Sequence, residues 1–132
     1  MRQSRRAFAR AAVCALVLVA AATAAAAGRP SLNVYFQSTL ADQSYQRKTF
    51  DRVAKTWKTP RATPKVGAKT VVQAVIAKDG KLASAAVSMS SGVKEWDDAA
   101  LAAVKKAAPY DPLPAGYKYP SLEAHFHVSV VP

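Results

Sequence analysis

Residues 70–89 constrain this chain more than any other stretch. Thr70–Ala77 (Thr-Val-Val-Gln-Ala-Val-Ile-Ala) is dense in β-branched residues, which suit a pleated and largely buried surface. Asp79-Gly80 follows, and Leu82–Met89 is a second strand-like run. Asp-Gly between two such runs predicts a tight hairpin of type I′, with both central residues at positive φ. Ser90-Ser91-Gly92 closes the second strand, and an alanine-rich helical stretch opens close behind it. The other segments are read by how they cover this hairpin.

Two amphipathic helices are predicted. In the first, Ser44–Thr59, the residues Phe50, Val53, Ala54 and Trp57 recur at helical spacing, with Tyr45 further back. Asp42 or Ser44 can cap its free N–H groups, and Pro60 stops it. Its other face is Arg47, Lys48, Arg52, Lys55 and Lys58, which reads as a solvated basic face. The second runs over Lys94–Ala107. Trp96, Ala100, Ala103, Val104 and Ala107 share one face, widened by Leu101. Glu95, Asp97 and Asp98 crowd its first turn and Lys105 and Lys106 its last, as the helix dipole favours.

The last segment alternates cleanly. Leu122, Ala124, Phe126, Val128 and Val130 lie on one face, and Ser121, Glu123, His125, His127 and Ser129 on the other. The hairpin makes the first two strands antiparallel, and the second helix is a crossover that makes strand three parallel to strand two. Placing strand three beside strand one satisfies both. The expected fold is α+β in the order α-β-β-α-β. It has two layers: a three-stranded antiparallel sheet of order 2-1-3, with two helices on one face. Strand one is central, as its two apolar faces suggest, and strands two and three are edges.

The N-terminus reads differently. Arg2, Arg5, Arg6 and Arg10 precede an apolar, alanine-rich run that ends in Ala25-Ala26-Ala27, the pattern of a secretory signal peptide over residues 1–27. Ser4-Arg5-Arg6-Ala7-Phe8 resembles a twin-arginine export motif. Cleavage after Ala27 leaves residues 28–132 without cysteine, since Cys14 is the only one. Their stability rests on a packed core and not on disulfides. The whole chain carries +11, and the remainder, less those four arginines, +7. Residues 28–43 show no sustained period and are expected to form a flexible N-terminal arm. Residues 44–132 form the domain.

Trp57 with Pro60, the strand Val71–Ile76, Asp79-Gly80, Ser90-Ser91-Gly92, then Trp96-Asp97 with Ala99-Ala100-Leu101 and Ala103-Val104, resemble in order the C-terminal domain of TonB/TolA energy transducers. The tail from Ala107-Ala108-Pro109 through Leu113-Pro114 to Phe126 is similar to the TolA branch. Trp96 stands where the family more often has Leu, a change of core size. The resemblance implies a periplasmic adaptor that grips an extended segment of an outer-membrane or periplasmic protein. Here the spacer of full transducers is missing, so a free-standing binding domain is expected. A minimal transducer anchored by an uncleaved N-terminus is the alternative. The last strand is the expected docking edge, with Leu122, Glu123, His125, Phe126, His127 and Ser129 as partner-binding residues.

Other chemistries fit less well. His125 and His127 point the same way, but with no cysteine or acidic cluster near them no metal or other cofactor is expected. Ser90 and Ser91 are near no predicted histidine, and the eight acids form no opposed pair, so no enzyme is expected. Export and the absence of exposed aromatics interleaved with the bases argue against nucleic-acid binding. Val71 and Val75 on the outer face permit a weak contact with a second copy.

Overall fold

The structure is a computed structural model and describes residues 28–37 and 40–132. The signal-peptide reading of residues 1–27, Cys14 included, lies outside the described residues. The elements are β1 (Arg29–Phe36), α1 (Gln43–Thr56), β2 (Lys69–Ala77), β3 (Leu82–Met89), α2 (Lys94–Ala107) and β4 (Ser121–Val131). The strands form one sheet of order β1-β4-β2-β3, antiparallel throughout, and both helices cover one face.

The expected three-strand order is present as β3-β2-β4, but the sheet has a fourth strand. Residues 29–36, expected within a flexible arm, pair with β4 from Arg29↔Val131 to Phe36↔Ala124. The physical reason is the alternation of Leu32, Val34 and Phe36. Once β4 offers a row of backbone partners, those three side chains pack against the core. The last strand is therefore interior and not the open edge anticipated for it.

The hairpin turn also differs from type I′. Gly80 has φ +92°, but no non-glycine residue among those described has positive φ, so Asp79 does not. Gly80 N–H donates to Ala77 O at 2.9 Å and Ala77 N–H to Lys81 O at 2.8 Å. This is a three-residue loop ending in a left-handed glycine. A Cβ at Gly80 would lie 2.1 Å from Tyr110 O, so the same glycine lets the turn press on the loop before β4.

The core lies between sheet and helices. Val72, Ala74 and Ile76 of β2 and Leu122, Ala124 and Phe126 of β4 are all 0% exposed. Helix α2 has the predicted bounds and buries the predicted face, Trp96, Ala100, Ala103, Val104 and Ala107. Trp96 Nε1 donates to Val128 O at 3.1 Å, which satisfies the indole inside the core. Trp57 meets Trp96 edge to face with centroids 4.9 Å apart.

Helix α1 is capped by Asp42, whose carboxylate accepts from Tyr45 N–H at 2.9 Å. It ends at Thr56, short of the expected Thr59, and Trp57 is already extended. Its buried stripe is Tyr45, Thr49 and Val53, while Ala54 is exposed and Phe50 and Trp57 half-buried. Thr49 can face the core because its hydroxyl donates to Tyr45 O at 2.9 Å. Thr56 Oγ1 donates to Ala103 O at 2.7 Å and ties the two helices together.

Ser90-Ser91-Gly92 meets Asp97. Val93 provides no side-chain cap for α2. Instead the Asp97 carboxylate accepts from the Ser90 hydroxyl, from Thr70 Oγ1 at 2.5 Å, and from Ser91 N–H and Oγ at 2.9 and 2.8 Å. Burial pushes this carboxyl up, but the bonds from Ser90, Thr70 and Ser91 outweigh it and bring the pKa down to about 2.

Two outcomes follow. Phe126→Ala should cost about 3–5 kcal/mol in denaturant unfolding, since a fully buried ring leaves a cavity. The second concerns acid. Asp97 titrates lower folded than unfolded, so its contribution is complete above its ordinary 3.8 and is lost as pH falls towards about 2. Asp97→Asn should flatten that acid limb and cost about 1–2 kcal/mol at neutral pH, read from urea midpoints at several pH values.

Candidate protein-interaction site

The candidate site is the β1 side of β4, and its backbone parity can be read from single bonds. Val130 N–H donates to Ala68 O at 3.0 Å, so even residues of β4 turn their hydrogen-bonding groups to β2. Gln37 N–H donates to Glu123 O at 3.2 Å, so odd residues turn theirs to β1. The groups of Glu123, His125, His127 and Ser129 that would receive an incoming strand are therefore engaged by β1.

The six residues anticipated for partner contact divide by face. Leu122 and Phe126 are fully buried under the helices and act as core. Glu123, His125, His127 and Ser129 lie on the sheet face without helices and are half-buried. Glu123 accepts from Gln73 Nε2, and its Oε1 lies 3.1 Å from His125 Nε2. His127 packs against Tyr35 of β1, edge to face, with ring centroids 4.6 Å apart. Burial, then the charge of Lys69 and the neighbouring His125, push its pKa down. Ser129 Oγ reaches Ser31 O at 3.5 Å.

Sequence reasoning missed the residues of β1. Leu32, Val34 and Phe36 face the helix side, and Gln37 extends the contact. Gln37 Oε1 accepts from Glu123 N–H at 3.0 Å and lies 3.2 Å from Tyr117 Oη. The available signal was the period of two from Leu32 to Phe36. Beneath Leu32 an apolar cleft of about 130 Å3 remains, walled by Val53, Ala54, Trp57 and Val128.

Elsewhere the surface is less inviting. β3 is the far edge, and its register with β2 shifts between Val71/Val72 and Val75/Ile76. Such irregularities hinder a further strand. Val71, expected on an outer patch for a second copy, is only 5% exposed between its register partners His127 and Met89. The basic face of α1 is partly paired: Arg52 reaches Asp111 at 2.8 Å and Arg47 reaches Asp51 at 3.6 Å. Among the described residues no three His, Cys, Asp or Glu side chains gather as a metal would need. No helix among them is long and apolar enough to cross a membrane.

The site thus sits in an α+β layer with both helices on one face and a long final strand paired on both sides. The TonB C-terminal family matches residues 42–127, and the chain belongs to that family. Its structure is similar to the solution NMR structure of TolAIII bound to a peptide derived from the N-terminus of TolB. The identity is 28% and the TM-score 0.51, over 69% of this chain and 83% of that one. Among curated proteins none matches. The family match starts at Asp42, so β1 lies outside the matched residues.

Because His127 titrates lower in the fold than its ordinary 6.5, the folded state resists taking up its proton. Stability should be complete above 6.5 and decline as pH falls below it. His127→Gln should remove that decline, measured by thermal unfolding across the range.

Proposed function

We propose that this chain is a protein-binding module, exported to the periplasm, that takes an extended segment of an envelope protein into its sheet as an added strand along β4. The observation that carries this reading is the likeness to TolAIII holding a peptide. The family match supports it, since the matched residues 42–127 leave the outer side of β4 without a strand of their own. The basic, Ala-terminated leader supports export.

A binding role also agrees with what the polar groups do. Ser90 and Ser91 are engaged by Asp97, and His125 by Glu123. Affinity would come from main-chain hydrogen bonds along β4, and selectivity from side chains at alternate positions of the incoming segment. Glu123, His125, His127 and Ser129 contact it on the open face. Leu122 and Phe126 shape the floor from the core side.

Photo-cross-linking in the envelope tests the reading. A photoreactive residue at Ser129 or Glu123 should cross-link to one extended segment of an envelope protein, mapped by mass spectrometry, and one at Lys58 should not. Equal yield at all three positions, or none, would sink it. N-terminal sequencing of the exported chain should begin at Gly28; a retained leader would favour the anchored transducer instead.

A further inference from the structure

We propose that β1 is a resident stand-in for the partner strand, and that the segment able to replace it carries three alternating apolar residues, the first bulkier than leucine, followed by a Gln or Asn. The proposal rests on the reading of β4 as the partner's seat. Three observations carry it.

The first is where β1 comes from. It precedes the residues matched to the family, yet it occupies a backbone row that the matched residues leave unpaired. A strand that pairs along one side only is held less firmly than β2 or β4, each flanked on both sides. Its outer edge also bears Pro30, at a position whose backbone groups turn away from β4, so the lost N–H costs the ladder nothing.

The second is the fit. Leu32, Val34 and Phe36 are only half-buried. Leu32 leaves the cleft of about 130 Å3 against Val53, Ala54, Trp57 and Val128 unfilled. A cleft of that size loses packing contacts along its walls. A Phe or Trp at the same register would occupy more of it. The present occupant is therefore a good strand for this seat but not the best one.

The third is the anchor at the far end. Gln37 Oε1 receives the Glu123 N–H, the next ladder donor of β4 beyond Phe36. A side-chain amide at that place in an incoming segment would reproduce the bond, and a hydrocarbon would leave the donor unpaired. The recognised pattern is thus bulky apolar, any, apolar, any, apolar, amide. When β1 is seated, the apparent affinity for such a segment is lowered by the small fraction of open molecules.

Two opposed variants of the full chain test this, with a fluorescent synthetic peptide copying residues 28–37 as the probe and a second peptide carrying Leu32→Phe. Asn33→Pro removes a β1 donor to β4 while leaving β4 intact. It should tighten apparent probe binding by about tenfold or more. Leu32→Phe in the protein should weaken it by about fivefold and raise the melting temperature. The Leu32→Phe peptide should bind Asn33→Pro protein tighter than the unaltered peptide. Equal binding by all three proteins would overturn the proposal. So would an Asn33→Pro protein that dimerises in place of taking up the peptide, since the seat would then belong to a second copy. If envelope cross-linking captures a partner with equal yield in all three proteins, the binding-module reading stands and the stand-in falls. If the peptides behave as stated but no partner is captured, the seat is right and the envelope reading fails.

Discussion

The pairing of β2 with β4 is the contact on which the other elements lean. Its register sets Val72 opposite Phe126, Ala74 opposite Ala124 and Ile76 opposite Leu122, all turned to the helices. The middle pair is alanine on alanine, and the facing stripe of α2 holds Ala100, Ala103 and Ala107. Small residues on both surfaces let the helix come close, while Phe126 and Trp96 fill the space beside them. A slip of one residue would turn all of these to the open face, so burial and register enforce each other. Helix α1 and β1 then cover what α2 does not reach.

Asp97 makes that arrangement continuous at one end. It is on the first turn of α2, but its partners are Thr70 of β2 and the two serines that close β3. One carboxylate thus joins hairpin, connection and crossover helix. The helix dipole accounts for an acid in that turn, as for Glu95 beside it. Only Asp97 faces the sheet, and its depressed pKa records the hydrogen bonds it gains there. At the other end the Asp79-Gly80 turn packs on Tyr110, whose N–H donates to Gly80 O at 2.9 Å. The hairpin is held at both tips by segments that lead into or out of α2.

Against that frame β1 is an addition. Without β1, the outer side of β4 would present bare main-chain groups. Exposed edges of this kind attract other chains. Here residues 29–36 fill that row. The other edge, β3, is guarded differently, by its irregular register with β2.

Much of this was legible in local pattern. The stripe of Lys94–Ala107 named its buried face, and the alternation of Leu122–Val130 named its core side, because each side chain's direction follows from helix or strand geometry. Thr49 escaped, since a hydroxyl reads as polar although its own helix satisfies it. The shift of the α1 stripe from Ala54 towards Thr49 followed from that. The candidate site was half legible: the two faces of β4 were, but the pairing of its outer side with β1 was not. Leu32, Val34 and Phe36 form too short a run to announce a strand, with Pro30 and Asn33 among them.

By itself the sequence determined which side chains turn inward along α2 and β4, because that periodicity acts over a few residues. Only the tertiary structure decided which strand is last in the sheet. A strand's outer hydrogen bonds depend on a partner remote in the chain, as with Ser31 and Ser129, 98 residues apart, and no local rule reaches that far.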